Sequence, residues 1–133
     1  MRKVLRDLLM RSGLNLGDPK ILEELVIETH LTKPQLETLL VEFATASLGL
    51  RLSTEKKARL RGVSKGAYSR TKRQAMDNIR KSVYTILLLR FLGIMSDENI
   101  ASIMEAAKLI AEGRFSDAMS LLRSVTLCDI TKR

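Results

Sequence analysis

The chain has 133 residues, 45% apolar and 29% charged, which suits one domain with a sizeable core and argues against disorder. It carries a net charge of +8 with one Cys and one His, so an intramolecular disulfide is excluded and the usual zinc site lacks ligands. A lone Cys points to a reducing, cytoplasmic setting.

The chain opens by alternating charge with Leu and Val and leads into no long apolar region, so no secretory leader is expected. Val4, Leu5, Leu8 and Leu9 recur at helical spacing and predict an amphipathic first helix ending near Gly13. Asp18 followed by Pro19 reads as an N-cap with proline at the first helical position, opening a helix to about Thr29. Thr32, with Pro34 close behind and Gln35 three residues on, has the spacing of a capping box. The helix it starts is expected to bury Leu36, Leu39, Leu40, Phe43 and Ala44 and to stop near Gly49. Ser53 is placed to cap a short helix, Thr54 to Arg61, which Gly62 breaks.

Ser64 then caps the longest predicted helix, Lys65 to about Leu92, roughly 42 Å at 1.5 Å per residue. At about 100° per residue, Ala75, Ile79 and Ile86 fall within about 20° of Tyr68, with Val83 nearby, and form a predicted buried stripe. Gly66, Arg70, Arg73, Asp77 and Arg80 cluster on the opposite side, flanked by Ser69 and Gln74, while Lys72 lies near the stripe and must snorkel. From Val83 to Leu92 apolar residues surround the helix, and Tyr84, Leu87 and Leu88 occupy the side that was basic. A helix without a wet side needs cover everywhere. Val83, Tyr84, Leu87, Leu88, Phe91 and Leu92 are therefore expected to form a homodimer interface, the rival being an intrachain core made with the C-terminal helices. The run Val83–Met95 is short of the roughly 20 residues needed to span a bilayer and contains Arg90, so no membrane role is expected.

After Gly93, Ser96 caps a helix expected to turn Ile100, Ile103, Met104, Ala107 and Ile110 inward. Gly113 turns the chain into a last helix, Phe115 to Val125. The segment Glu112–Leu122 is similar to the joint of a tetratricopeptide repeat, but one unit is too few for such an array and reads as an α-hairpin. No stretch shows period-two alternation between turn residues, so the expected fold is all-α: a single domain over 1–133, with 83–133 as a helical dimerisation and packing region.

Charge is the most informative feature. Residues 51–90 hold twelve basic residues and two acids, Glu55 and Asp77, a net of +10, so the other 93 residues sum to −2. A nearly acid-free block this basic is explained by an anionic partner, usually nucleic acid; the plain rival is a solvated basic face. Elsewhere, chemistry-bearing residues are scattered. His30 is read as a helix-end cap or dipole partner and Cys128 as a simple thiol. Glu23–Glu24 and Asp97–Glu98 are read as adjacent acids in helix first turns, where neighbours do not share a face. No catalytic constellation, cofactor or metal is implied.

The residues placed on these helices form a further pattern. Leu31-Thr32, Leu36 and Leu39-Leu40 precede a short helix with Ala58. Gly62-Val63-Ser64, Tyr68, Ala75-Met76 and Ile79-Arg80 follow. Over about residues 31–82 this resembles the helix-turn-helix shared by sigma-factor region four and LuxR-type DNA-binding domains. The resemblance implies that the first turns of the helix after Ser64 enter the major groove of double-stranded DNA. Lys65, Ser69, Arg70, Arg73 and Gln74 would then face base edges, Arg70 and Arg73 suiting guanine and Gln74 adenine. Lys56, Lys57, Arg59, Ser64, Lys72, Arg80 and Lys81 would hold phosphates, which position without specifying sequence. The expected function is a sequence-selective DNA-binding transcriptional regulator. Two alternatives stand beside it: an RNA-binding part of a ribonucleoprotein, and an adaptor docking an acidic protein surface such as a subunit of RNA polymerase. Aromatics at 4% argue against a single-strand reader that stacks bases.

Overall fold

A computed structural model describes residues 2–13 and 19–125, and all regular structure among them is helical. In chain order the helices are α1 Lys3–Arg11, α2 Pro19–Ile27, α3 Lys33–Ser47, α4 Thr54–Arg61, α5 Lys65–Phe91, α6 Asp97–Ala111 and α7 Phe115–Ser124. None is long and apolar enough to cross a membrane. The chain forms two compact units, Met1–Arg80 and Lys81–Arg133, dividing within α5.

Local chemistry sets the helix boundaries. Thr32 accepts a hydrogen bond from the Gln35 backbone N–H (3.2 Å) while the Gln35 side chain accepts from the Thr32 N–H (3.1 Å), closing the capping box of α3. Ser53 accepts from the Lys56 N–H and Ser64 from the Ala67 N–H, and Ser96 pairs reciprocally with Asn99 at the start of α6. Gly62 ends α4 at φ 73°, a left-handed conformation that glycine adopts without a Cβ penalty. The expected Asp18 cap and Cys128 lie outside the described residues. Glu23 and Glu24 sit beyond the first turn of α2, since that helix begins at Pro19; Asp97 and Glu98 do occupy the first turn of α6.

In unit 1–80, Leu5, Leu8 and Leu9 of α1 pack with Val41 and Ala44 of α3, Ala58 of α4 and Tyr68 of α5, and Leu40, Leu48, Leu60 and Val63 close around them. The buried face of α3 is rotated from the expected one. Thr38, Val41, Ala44 and Thr45 are inside, whereas Phe43 is exposed. Buried threonine is tolerated because each hydroxyl bonds the carbonyl one turn back, Thr38 to Pro34 (2.9 Å) and Thr45 to Val41 (2.8 Å). An open apolar depression of about 340 Å³ lies between α2 and α3, lined by Leu22, Val26, Ile27 and Leu36 with charged side chains beside them.

In unit 81–133, α6 and α7 form an α-hairpin in which Ala106 and Leu109 meet Ala118, with Leu121 and Leu122 alongside. Two alanines at the contact let the helices approach closely, and they set the inward face. Met104, Ala107 and Ile110 accordingly stay exposed instead of turning in, and Ile100 and Ile103 are half-buried. The α5 stripe is likewise shorter than expected. Tyr68 and Ala75 are buried, but Ile79 and Val83 are exposed and Ile86 is half-buried.

Candidate nucleic-acid interface

Gly62, Val63 and Ser64 connect α4 to α5. Val63 packs against the core, and Ser64 occupies the N-cap. The first N–H groups of α5, at Lys65 and Gly66, face out of the helix end, where the dipole favours an anion. Tyr68 and Ala75 anchor one side of α5 in the core of unit 1–80. Arg70 and Arg73 therefore stand on the opposite side. Both are exposed, and neither makes an ion pair or side-chain hydrogen bond with a described residue. Lys65 and Gln74 are exposed in the same way, and Ser69 is half-buried beside them.

The basic residues expected to hold phosphates divide into three groups. Lys56 and Lys81 are exposed and unpaired among the described residues. Arg59 and Arg80 are exposed but paired on their own helices, to Glu55 at 3.0 Å and Asp77 at 3.2 Å; exposed pairs of this kind are weak and exchange readily with another anion. Lys57 and Lys72 face a carboxylate inside the fold. Lys57 Nζ lies 3.0 Å from Glu42 Oε2 and Lys72 Nζ 3.4 Å from Glu42 Oε1, and the Tyr68 hydroxyl donates to Glu42 Oε1 at 2.9 Å. The Lys72 side chain stays 47% exposed while its ammonium pairs with Glu42. Ser64 Oγ already accepts a hydrogen bond from the Ala67 N–H, so its contribution to an anion site runs through the helix end it defines.

Electrostatics around Glu42 follow from this geometry. Burial alone would raise its pKa. Hydrogen bonds from Lys57 and Tyr68, with the charges of Lys57 and Lys72, outweigh burial and hold the carboxyl below its ordinary value. Tyr68 is pushed well above the usual phenol range, first by burial and then by its bond to a carboxylate. One turn along, Arg61 is almost fully buried; its Nη1 donates to Thr38 Oγ1 at 2.9 Å, and its Nε lies 3.5 Å from Glu37 Oε2. Glu37 with Arg61 and Glu42 with Lys57 make two charged rungs between antiparallel α3 and α4. These fix the short helix whose C-terminus starts the turn.

Sequence reasoning overlooked two contributors. Glu42 was invisible as a hub because its partners come from α4 and α5; the available signal was a carboxylate set between Val41 and Phe43. The second is α1. Its leucines dock on α3 and α4, and Arg2 Nη1 donates to the Arg59 carbonyl at 3.0 Å, laying its guanidinium over Gly62. Lys3 and Arg6 are exposed nearby in sequence and unpaired among the described residues. Arg2 and Arg6, one helical turn apart beside the Leu5/Leu9 stripe, were the signal. His30 is exposed three residues after the end of α2, and its carbonyl accepts from Asn78 Nδ2 at 3.2 Å.

No protein-family model, curated protein or solved structure matches the chain.

Proposed function

We propose that the protein binds double-stranded DNA with sequence selectivity and acts as a transcriptional regulator, reading base edges with the outer side of the first turns of α5. One observation carries this reading: Arg70 and Arg73 are exposed and uncompensated on a helix whose other side is locked into a core, while acids neutralise many cations around them. Like charges three residues apart on a helix destabilise it by about 0.2–0.5 kcal/mol, and an anion between them removes that repulsion. The planar, two-pronged donor of arginine also suits guanine O6 and N7. Lys56, Arg59, Lys72, Arg80 and Lys81 supply sequence-independent affinity through counterion release.

Mobility shift on duplex DNA across salt tests the reading. With about five phosphates neutralised, log K falls against log salt with a slope of about −4.5. Arg70→Ala and Arg73→Ala each narrow the gap between preferred and random duplex, by about 1–3 kcal/mol if bidentate contacts are lost. Lys56→Ala weakens binding to all duplexes alike. Salt-independent binding, or preference for RNA of equal length, would reject the proposal.

A further inference from the structure

The distal half of α5 carries an apolar surface that the described residues leave more than half exposed. Val83, Tyr84, Leu87, Leu88, Phe91 and Leu92 are between 52% and 85% exposed, with Phe91 the most exposed. Neither α6 nor α7, the other helices of unit 81–133, covers them, so the intrachain core weighed from sequence is not formed among the described residues. Tyr84, Leu88 and Phe91 follow four-and-three spacing, and Val83 and Leu87 form an adjacent row, so the apolar face is wider than a two-stranded seam and suits a bundle.

We infer that this face is covered by the same face of a second copy of the chain, as a two-fold homodimer. Area supports that occupant. At roughly 200 Å² for a large side chain, these six residues at their exposures present on the order of 700 Å² per copy. A symmetric pair that covers all six then buries up to about 1,400 Å², within the range of stable interfaces. Charge supports it too. The six residues carry none, and no carboxylate occurs between Asp77 and Asp97. The one cation within the run, Arg90, is held by Asp97 and by the Met95 carbonyl (3.2 Å) of its own chain. A neutral, self-complementary face offers nothing for an acidic protein to select, and it can meet its own copy without like charges in contact. The inference stands apart from DNA binding, because it concerns the free protein.

Light scattering on the full chain without nucleic acid, from about 1 to about 100 µM, tests it, with uncharged phosphatidylcholine vesicles, which the basic block does not attract, in a parallel sedimentation assay. The expected mass is twice 15.0 kDa, and vesicles leave the protein in the supernatant. Leu88→Glu, at a side chain 55% exposed, raises the dimer Kd by about a hundredfold or more with helical circular dichroism unchanged. Phe91→Glu does the same independently. A monomeric mass for the unmodified chain, vesicle binding by a monomer, or a dimer that survives both substitutions overturns the inference. Duplex binding is scored separately, so each reading can fail alone.

Discussion

Removing the Glu42 carboxylate by Glu42→Ala strips three partners at once: Lys57 at 3.0 Å, Lys72 at 3.4 Å and the Tyr68 hydroxyl at 2.9 Å. Their exposures decide how much each loss costs. The Lys57 side chain is 18% exposed and Tyr68 fully buried, so neither recovers full hydration when its partner goes; Lys72, at 47%, largely does. A hydrogen bond to a charged group contributes about 1.5–3 kcal/mol, and a partly solvated site returns some of that to water. The expected loss is about 2–4 kcal/mol, or a fall in Tm of about 10 °C. Glu55→Ala is the internal standard. Its pair with Arg59 also measures 3.0 Å, but both side chains are more than 60% exposed, and such a pair contributes about 0.3–0.5 kcal/mol. Denaturant unfolding of both variants by circular dichroism gives the comparison, with Glu42→Gln falling between them because it keeps an acceptor and loses the charge. Equal costs for Glu42→Ala and Glu55→Ala would refute the claim that this carboxylate ties α3, α4 and α5 together.

The same hub makes stability depend on pH at both ends. Glu42 is held below its ordinary value of 4.5, so its contribution is present above that pH and is lost as pH falls through the folded value; thermal melts of Glu42→Gln show a shallower acid limb. Tyr68 is raised above 10.0, so the fold favours the protonated phenol, and stability declines above about pH 10, less so in Tyr68→Phe. Gly62→Ala places a Cβ at φ 73° against the Arg2 guanidinium and costs about 1–2 kcal/mol by thermal melt, whereas Gly66→Ala meets open space inside a helix and gains about 0.5–1 kcal/mol.

Most of the element order was legible because short-range chemistry wrote it. The Thr32–Gln35 box, the Ser53, Ser64 and Ser96 caps and the glycine stops act within a few residues, and each bond formed as its spacing implied. Faces were less legible. Periodicity marks which residues are apolar but not what an element packs against. In α3, threonines that satisfy their own hydroxyls displaced Phe43 from the core, and in α6 the need for small residues opposite Ala118 turned Met104 outward.

Charge shows the same division more sharply. A run of sequence gives the density of cations, and that density alone led to a polyanion. What it cannot give is pairing, because the carboxylates that neutralise Lys57, Lys72 and Arg61 lie on α3, 15 to 30 residues away in sequence. Subtracting the two largely buried cations, Lys57 and Arg61, leaves the candidate surface narrower than the raw count suggests, with Arg70 and Arg73 still exposed on it. On the proposed reading, cations aimed inward act on the candidate surface by fixing α4 and α5, and cations aimed outward act by contact. Glu42→Ala therefore separates the two roles, since it disturbs how α5 is held without touching an exposed arginine.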